Sequence, residues 1–488
     1  MSDATKSTAR ISRTLHYSDA EFLDFEQVLK RSAGNDNAIW RRRVTLYLTL
    51  AAPANPRKRY RFGVTGSLVA MICDWLRARP TDCVIPANEY LVLIYGTSSK
   101  EYDSLKPVAR NLLERGRLVT VMWVTGEPIP PDLLKDWGNA DVVIISGHSI
   151  LAEKKLFPVG AWFHAIGIAL RAAFALRQKK GAIIALWHQR ASVITRLVSD
   201  LLWMDFFTVR LATCDFRGVA FVSDTSEPCE ALANYAIRRQ WVSHHFLHGF
   251  ANLVHTRTLA DQTYCFSSVE REMFVASGYP PANVFSDGHP RQARIMSEIA
   301  KKRAIQPGEG GLRILFANQG VEGDFDTTHH RETMDAVFNA IRILNLGSSE
   351  FRIRLHPKAN RDFDLAVCDA HSISHHSIST NSLTEDLAWA NVLIVPWSTM
   401  AVEAAYAGCF LIWLVVGTFR FPVREGLIAA GFGEKATTAD ELISLLNRCR
   451  NRTVRSELIS AMMSKALDLG IVNPGAVDAA ASRMEMAR

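Results

Sequence analysis

His356 and Pro357 close the segment FRIRLHP, Phe351 to Pro357. An apolar run that ends on an imidazole and a ring unable to continue a strand ladder aims that imidazole off the edge of a sheet. There it meets a phosphate or another ligand, or it is a strand-end histidine with no ligand at all. Arg354 and Lys358 stand beside it and add positive charge suited to a mono- or diphosphate. A second run, VLIVPWSTMAVEAAYAG from Val392 to Gly408, reads as a strand that breaks at Ser398 and Thr399 and opens a helix. Hydroxyls at a helix start either cap it or, with the free backbone N–H groups, bind a phosphate. Glu403 follows Thr399 by four residues, on the same helix face. Its carboxylate suits ribose hydroxyls, and it equally suits the positive end of the helix dipole.

The first half of the chain offers a matching strand end, Leu247-His248-Gly249. His248 facing a cleft serves as a general base or as a contact for acceptor or phosphate. Gly249 allows a close approach or a positive φ. Asp224 and Glu227 flank the preceding turn, and either deprotonates an acceptor hydroxyl or simply caps the chain. DFDTTHH, Asp324 to His330, has the composition of a metal site, and a weaker D-x-D recurs at Asp362 to Asp364. Polar residues leading into a helix explain the first better, so no metal ligand is assigned. His371, His375 and His376 have irregular spacing and no cysteine or glutamate in a known order. Neither G-x-x-x-x-G-K-[ST] nor G-x-G-x-x-G occurs, which argues against P-loop NTPases and typical dinucleotide enzymes.

These residues need a parallel sheet to hold them. Apolar runs at 90–96, 118–124, 141–147, 218–224, 242–249 and 262–268 alternate with helix-period segments at 104–115, 227–239 and 269–276. NVFSDGHPR, Asn283 to Arg291, returns as a strand, and the polar stretch from Gln292 to Gly311 reads as a linker. A second series begins at Leu312, with a helix over Thr333 to Leu344, the two runs described above, and CFLIWLV. SLTEDLAWA carries the S-x-x-E spacing of a capping box. The expected organisation is an N-terminal extension over 1–89, an acceptor-side Rossmann-like domain over 90–291, a linker over 292–311, and a nucleotide-donor domain over 312–488 ending in helices. The fold class is α/β, two Rossmann-like parallel-sheet domains facing a cleft. Within the extension a helix is expected over Asp19 to Arg31, with unordered elements at Arg41 to Leu50 and Arg59 to Ala70.

With 488 residues the chain exceeds one hydrophobic core, and 48% hydrophobic with 22% charged residues describes an ordinary globular protein. A net charge of +7 favours an anionic partner, such as a nucleotide, a charged glycan or a lipid surface. The basic residues are spread out and no nucleic-acid-binding pattern is present, so nucleic acid ranks last. Eight scattered cysteines without a C-x-x-C pair read as buried thiols of a reducing compartment. The polar start MSDATKSTARISRT has no apolar signal core. The tract Leu156 to Leu176, broken by His164 and Arg171, reads as a buried helix, with a helix lying on an anionic bilayer as the alternative. The expected location is cytoplasmic, extending to the inner face of the plasma membrane.

An ordered series of segments carries a family resemblance: FVSDTSEP, FLHG, CFSSVEREMFVASGY, SDGHPR, ILFANQG, RLHP and PWSTMAVEAAYAG. In this order they resemble the GT-B-type glycosyltransferases of bacterial surface-polysaccharide assembly. The likeness extends to capsule and lipopolysaccharide transferases, CDP-glycerol glycerophosphotransferases and bacterial sialyl- and polysialyltransferases. It covers most of residues 218–488. Relatives often read Gln-His-Gly at FLHG and Gly-x-Pro-Arg at SDGHPR. The resemblance implies that the second domain binds a nucleotide-activated donor, with His356, Ser398 and Thr399 at its phosphate and Glu403 at its ribose. It implies a glycan or lipid-linked acceptor and no cofactor beyond the donor itself. Sialyltransferases hold their base in a D/E-D/E-G motif where this chain reads SDTSEP, so the resemblance does not supply one. His248 is the first candidate and Asp224 the second. UDP-N-acetylglucosamine 2-epimerases share the architecture and form the rival enzyme class. A degenerate transferase domain acting as a scaffold is the non-enzymatic alternative.

Overall fold

The computed structural model describes residues 84–487, apart from 97–98, 126–128, 135–136, 147–202, 205, 223–226, 252–254, 306–310, 321–326, 348 and 357–358. The elements expected at Asp19 to Arg31, Arg41 to Leu50 and Arg59 to Ala70, the apolar tract Leu156 to Leu176, and the candidates Asp224 and Lys358 lie outside the described residues.

The apolar runs become strands of two sheets. In the first unit β1 (Tyr90–Tyr95), α1 (Ser99–Glu114), β2 (Val119–Thr125), β3 (Asp141–Ser146) and β4 (Gly218–Phe221) are followed by α2 (Glu227–Arg239), β5 (Val242–Phe246), β6 (Gln262–Tyr264), α3 (Ser268–Ala276) and β7 (Val284–Phe285). Its seven strands are all parallel, in the order β3-β2-β1-β4-β5-β6-β7. The chain continues through α4 (Pro290–Ile305) into β8 (Ile314–Ala317), α5 (Thr327–Ile343), β9 (Phe351–Arg354), α6 (Arg361–Ala370), α7 (Leu383–Trp389), β10 (Val392–Val395) and α8 (Met400–Ala407). Then come β11 (Phe410–Leu414), α9 (Pro422–Ala429), β12 (Glu434–Ala436), α10 (Ala439–Arg450), α11 (Arg452–Asp468) and α12 (Ala476–Met486). The second sheet is also parallel, five-stranded, in the order β12-β11-β10-β8-β9. Central strands such as β2 and β11 are buried along their whole length, as strands covered on both faces are, which is why they read as continuous apolar runs.

Local signals are obeyed at several ends. Ser382 and Glu385 form the expected capping box of α7. Gly116, Gly278 and Gly408 follow α1, α3 and α8 with φ of 77°, 91° and 58°. Six cysteines of the described residues are free and buried. No helix of the described residues is long and apolar enough to cross a membrane.

Three expectations are corrected. First, the stretch from Gln292 is no open linker: α4 runs to Ile305 and packs against α1 of the first unit and α7 and α8 of the second. Pro290 opens it, and Ile295 and Ile299 bury one stripe while the charged residues that suggested a linker lie on the remaining faces. Second, only Val284 and Phe285 of NVFSDGHPR are strand, because Gly288 turns the chain with a φ of 88° into α4. Third, α12 leaves the second unit, expected to hold all of 312–488, and packs on the first sheet. Ala480, Ala481 and Met484 join Tyr90, Leu105 and Leu112 in one core. Glu485 accepts from Arg115 and Arg117, each at 2.6 Å. The return passes Gly470, φ 68°, where a Cβ would lie 1.9 Å from the Ser286 carbonyl oxygen. The two units therefore share a continuous core, in which Phe250 lies 6.5 Å from Trp413 and 6.2 Å from Phe421.

Candidate functional site

In the second sheet, β8 lies between β9 and β10. Consecutive crossovers run outward in opposite directions from β8 and β10, and ligands of open α/β sheets bind at such a reversal, off the carboxyl ends of the strands. Ser398 and Thr399 stand there, directly after β10. Ser398 Oγ accepts from the Met400 N–H at 3.3 Å, and Thr399 takes the position before α8 with helical dihedrals and no side-chain cap of its own. Sequence reasoning passed over the end of β8 beside them, where Asn318 and Gln319 are 3% and 6% exposed.

His356 is half-buried just beyond β9, two strand spacings or about 10 Å from the β10 end. The structure thus puts the two candidates at one sheet edge but not side by side, a separation that spans a nucleotide better than a single phosphate. His356 lines a cavity of about 280 Å³ together with Arg354, Arg361 and the segment Ile378 to Asn381. Arg354 is committed elsewhere: its Nη1 lies 2.8 Å from Asp386 Oδ2 and 2.9 Å from the Asn381 carbonyl oxygen. Asp386 is fully buried, and it also accepts from Ser379 Oγ at 2.6 Å. Arg354 therefore builds the cavity wall, with a quarter of its side chain exposed toward solvent.

Across the interface, His248 follows β5 and is half-buried. Its ring is 5.7 Å from that of His255, which stacks 6.5 Å from His245. Gly249 is not among the residues with positive φ, and a Cβ there would meet nothing within 4 Å, so neither expected reason for a glycine is at work within the protein. His289 is buried against Phe266 at 4.2 Å. Burial, with Arg291 and His245 adding positive charge nearby, holds it well below the usual histidine range and therefore neutral. His244, on β5, is likewise lowered to about 3 by burial.

Two residues that sequence reasoning missed organise this half. Arg291 reaches from α4 to Glu403 Oε1 at 2.9 Å. Glu403 is thus buried and paired, with its carboxylate turned to Arg291. Glu270 accepts from the Ala251 and Phe266 N–H groups, each at 2.8 Å, and so fixes the loop that carries His248. Ser267 and Glu270 have the same S-x-x-E spacing as Ser382 and Glu385, a signal that was there to be read.

Burial pushes the Glu270 carboxyl up to about 7, against the pull of the surrounding N–H groups. The folded state then holds a proton that the unfolded state releases near pH 4.5, so this group's contribution to stability falls as pH rises from about 4.5 to about 7 and is level above. Glu270→Gln removes that slope. It also costs about 1–3 kcal/mol, because an amide NH2 must face one of the two backbone donors. Urea unfolding at steps between pH 5 and 8 measures both; an unchanged slope in the variant contradicts the assignment.

The D-x-D segments meet in a different way from a metal site. His330 Nε2 lies 2.6 Å from Asp364 Oδ1, both buried, joining α5 to α6. His371 pairs with Asp335 at 2.7 Å and His375 with Asp369 at 2.8 Å. Among the described residues no group of three or more His, Cys, Asp or Glu side chains is placed to hold a metal ion.

No family model matches the chain, and no curated protein matches it. Solved structures do. A protein of Listeria monocytogenes named as a UDP-N-acetylglucosamine 2-epimerase superposes with a TM-score of 0.53 at 14% identity, over 82% of this chain and 96% of that one. The fold is shared. The UDP-GlcNAc 2-epimerase of Neisseria meningitidis bound to UDP-GlcNAc gives 0.49 at 10% identity, over 82% and 100%. A glycosyltransferase of Rickettsia africae gives 0.48 at 9% identity, over 82% and 99%. The chain has the two-sheet, GT-B-like architecture in which the structures of such enzymes are built.

Proposed function

We propose that this protein transfers a sugar, or glycerol phosphate, from a nucleotide-activated donor to a cell-surface polysaccharide or lipid-linked glycan, without a metal or a further cofactor. The observation that carries this reading is the start of α8. Ser398, Thr399 and the positive end of that helix stand at the reversal point of the second sheet, about 10 Å along the same edge from the end of β9 that leads to His356. The donor nucleotide lies along that edge, with His356 hydrogen-bonded to its phosphate from one side and α8 at the other, where the helix start stabilises the departing charge. The acceptor comes from the side of the first domain, with His248 taking the proton of its hydroxyl and Asp224 as the second candidate. The net charge of +7 suits acidic glycans and an anionic membrane surface, so capsule or lipopolysaccharide assembly at the inner face of the plasma membrane is the setting.

The structural likeness to proteins named as UDP-N-acetylglucosamine 2-epimerases favours a second reading, an epimerase using the same donor edge. A thermal-shift screen against CMP, CDP, UDP and GDP comes first, because a ligand that binds the native state raises the midpoint. Incubation of the corresponding nucleotide sugar without acceptor then separates the readings. An epimer formed in that mixture overturns the transferase. Transfer that requires a glycan supports it, and a protein that no nucleotide stabilises is a scaffold.

A further inference from the structure

We propose that Arg291 is a positioning residue that holds the two halves of the site in register. Its guanidinium stands 2.9 Å from Glu403 Oε1 and 3.5 Å from the His248 carbonyl oxygen. The side chains of Arg291 and Glu403 are 7% and 1% exposed, so the pair is sealed from water. Arg291 sits in the first turn of α4, directly after the first sheet, and Glu403 in the first turn of α8, directly after Ser398 and Thr399. One cation thus connects the backbone of the candidate base to the helix that begins the candidate phosphate cradle.

Stability alone is a poor account of such a pair. Two charges taken out of water regain little by meeting, and apolar residues of the same volume hold an interface as well or better. A sealed ion pair gives what apolar packing does not, a steep penalty for separation, because either charge drawn away from the other is left unpaired in the interior. Glu403 then acts on the donor through the position of α8, in place of the direct ribose contact that its spacing suggested. This inference rests on the reading of Ser398 and Thr399 as the donor edge.

The test uses the full chain and the variants Arg291→Met, Arg291→Lys, Glu403→Gln and the double variant Arg291→Met/Glu403→Gln. Two readouts are followed: hydrogen exchange of the α8 first turn and of the loop at 248–251, and kcat against donor KM. Arg291→Met should speed exchange in both segments together, although they belong to different domains. It should lower kcat by about 10- to 100-fold, as displacement of reacting groups by an ångström does, with donor KM nearly unchanged. Arg291→Lys recovers part of the loss, and the double variant is no worse than the poorer single one. Exchange confined to one domain, or single effects that add in the double variant, overturns the proposal. If the native protein turns over no nucleotide sugar, the donor-edge reading fails by itself, and the exchange pattern still decides whether Arg291 couples the two segments.

Discussion

His356→Ala lowers nucleotide affinity by about 100-fold. A hydrogen bond from an imidazole to a charged phosphate contributes about 1.5–3 kcal/mol, and each 1.4 kcal/mol is tenfold in affinity. The side chain is well placed to supply it, since it lines the 280 Å³ cavity together with Arg361 and the segment Ile378 to Asn381. Arg354 does not compensate, because Asp386 and the Asn381 carbonyl already hold its guanidinium. His356→Asn keeps a donor at shorter reach and should lose less. Calorimetry with the nucleotide chosen by the thermal screen measures the effect. Native affinity in His356→Ala would remove this cavity from the donor site and leave only the α8 edge.

Arg354 and His356 illustrate how far the sequence was legible. A run such as FRIRLHP announces its strand, because residues buried on both faces of a parallel sheet are continuously apolar or alternate with stems that lie along it. Where that strand sits in the sheet is not written locally. β8 comes between β9 and β10 through pairings of Ile314 with both Phe351 and Val392, and those set the distance between His356 and Ser398. Arg354 looked like a phosphate ligand because Asp386, its actual partner, lies 32 residues away. The helix α4 was hidden by its own charge: the run Lys301, Lys302 and Arg303 near its end obscured the stripe of Ile295 and Ile299. The return of α12 was hidden by distance, since Glu485 and Asp478 meet Arg115 only after the chain has crossed both domains. Arg291 belongs to the same class. The GHPR turn was visible as a segment, but its role depends on Glu403 in another domain. By contrast Glu270 was readable from Ser267-x-x-Glu270 alone, and only its consequence, a fixed His248 loop, needed the fold.

That fixed loop bears directly on the other large effect, at His248. His248→Ala lowers kcat by about 10²- to 10⁴-fold, the range for loss of a positioned general base, while nucleotide affinity stays near native. The split follows from geography: His248 extends from β5 of the first domain, whereas the nucleotide edge is built by β8, β9 and α8 of the second. A base must be unprotonated to work, so the native rate falls on the acid side of the pH profile, and that limb disappears in the variant. Glu270→Gln separates this limb from the buried carboxylate behind it, because it removes the carboxyl's own titration while the imidazole is still present to titrate. If His248→Ala keeps both the native kcat and the acid limb, the proton goes elsewhere, and Asp224→Asn then becomes the decisive variant. If His248→Ala instead weakens nucleotide binding with kcat intact, the imidazole touches the donor. The first domain then contributes to the phosphate site itself, and Asp224 becomes the candidate for the base of the acceptor hydroxyl.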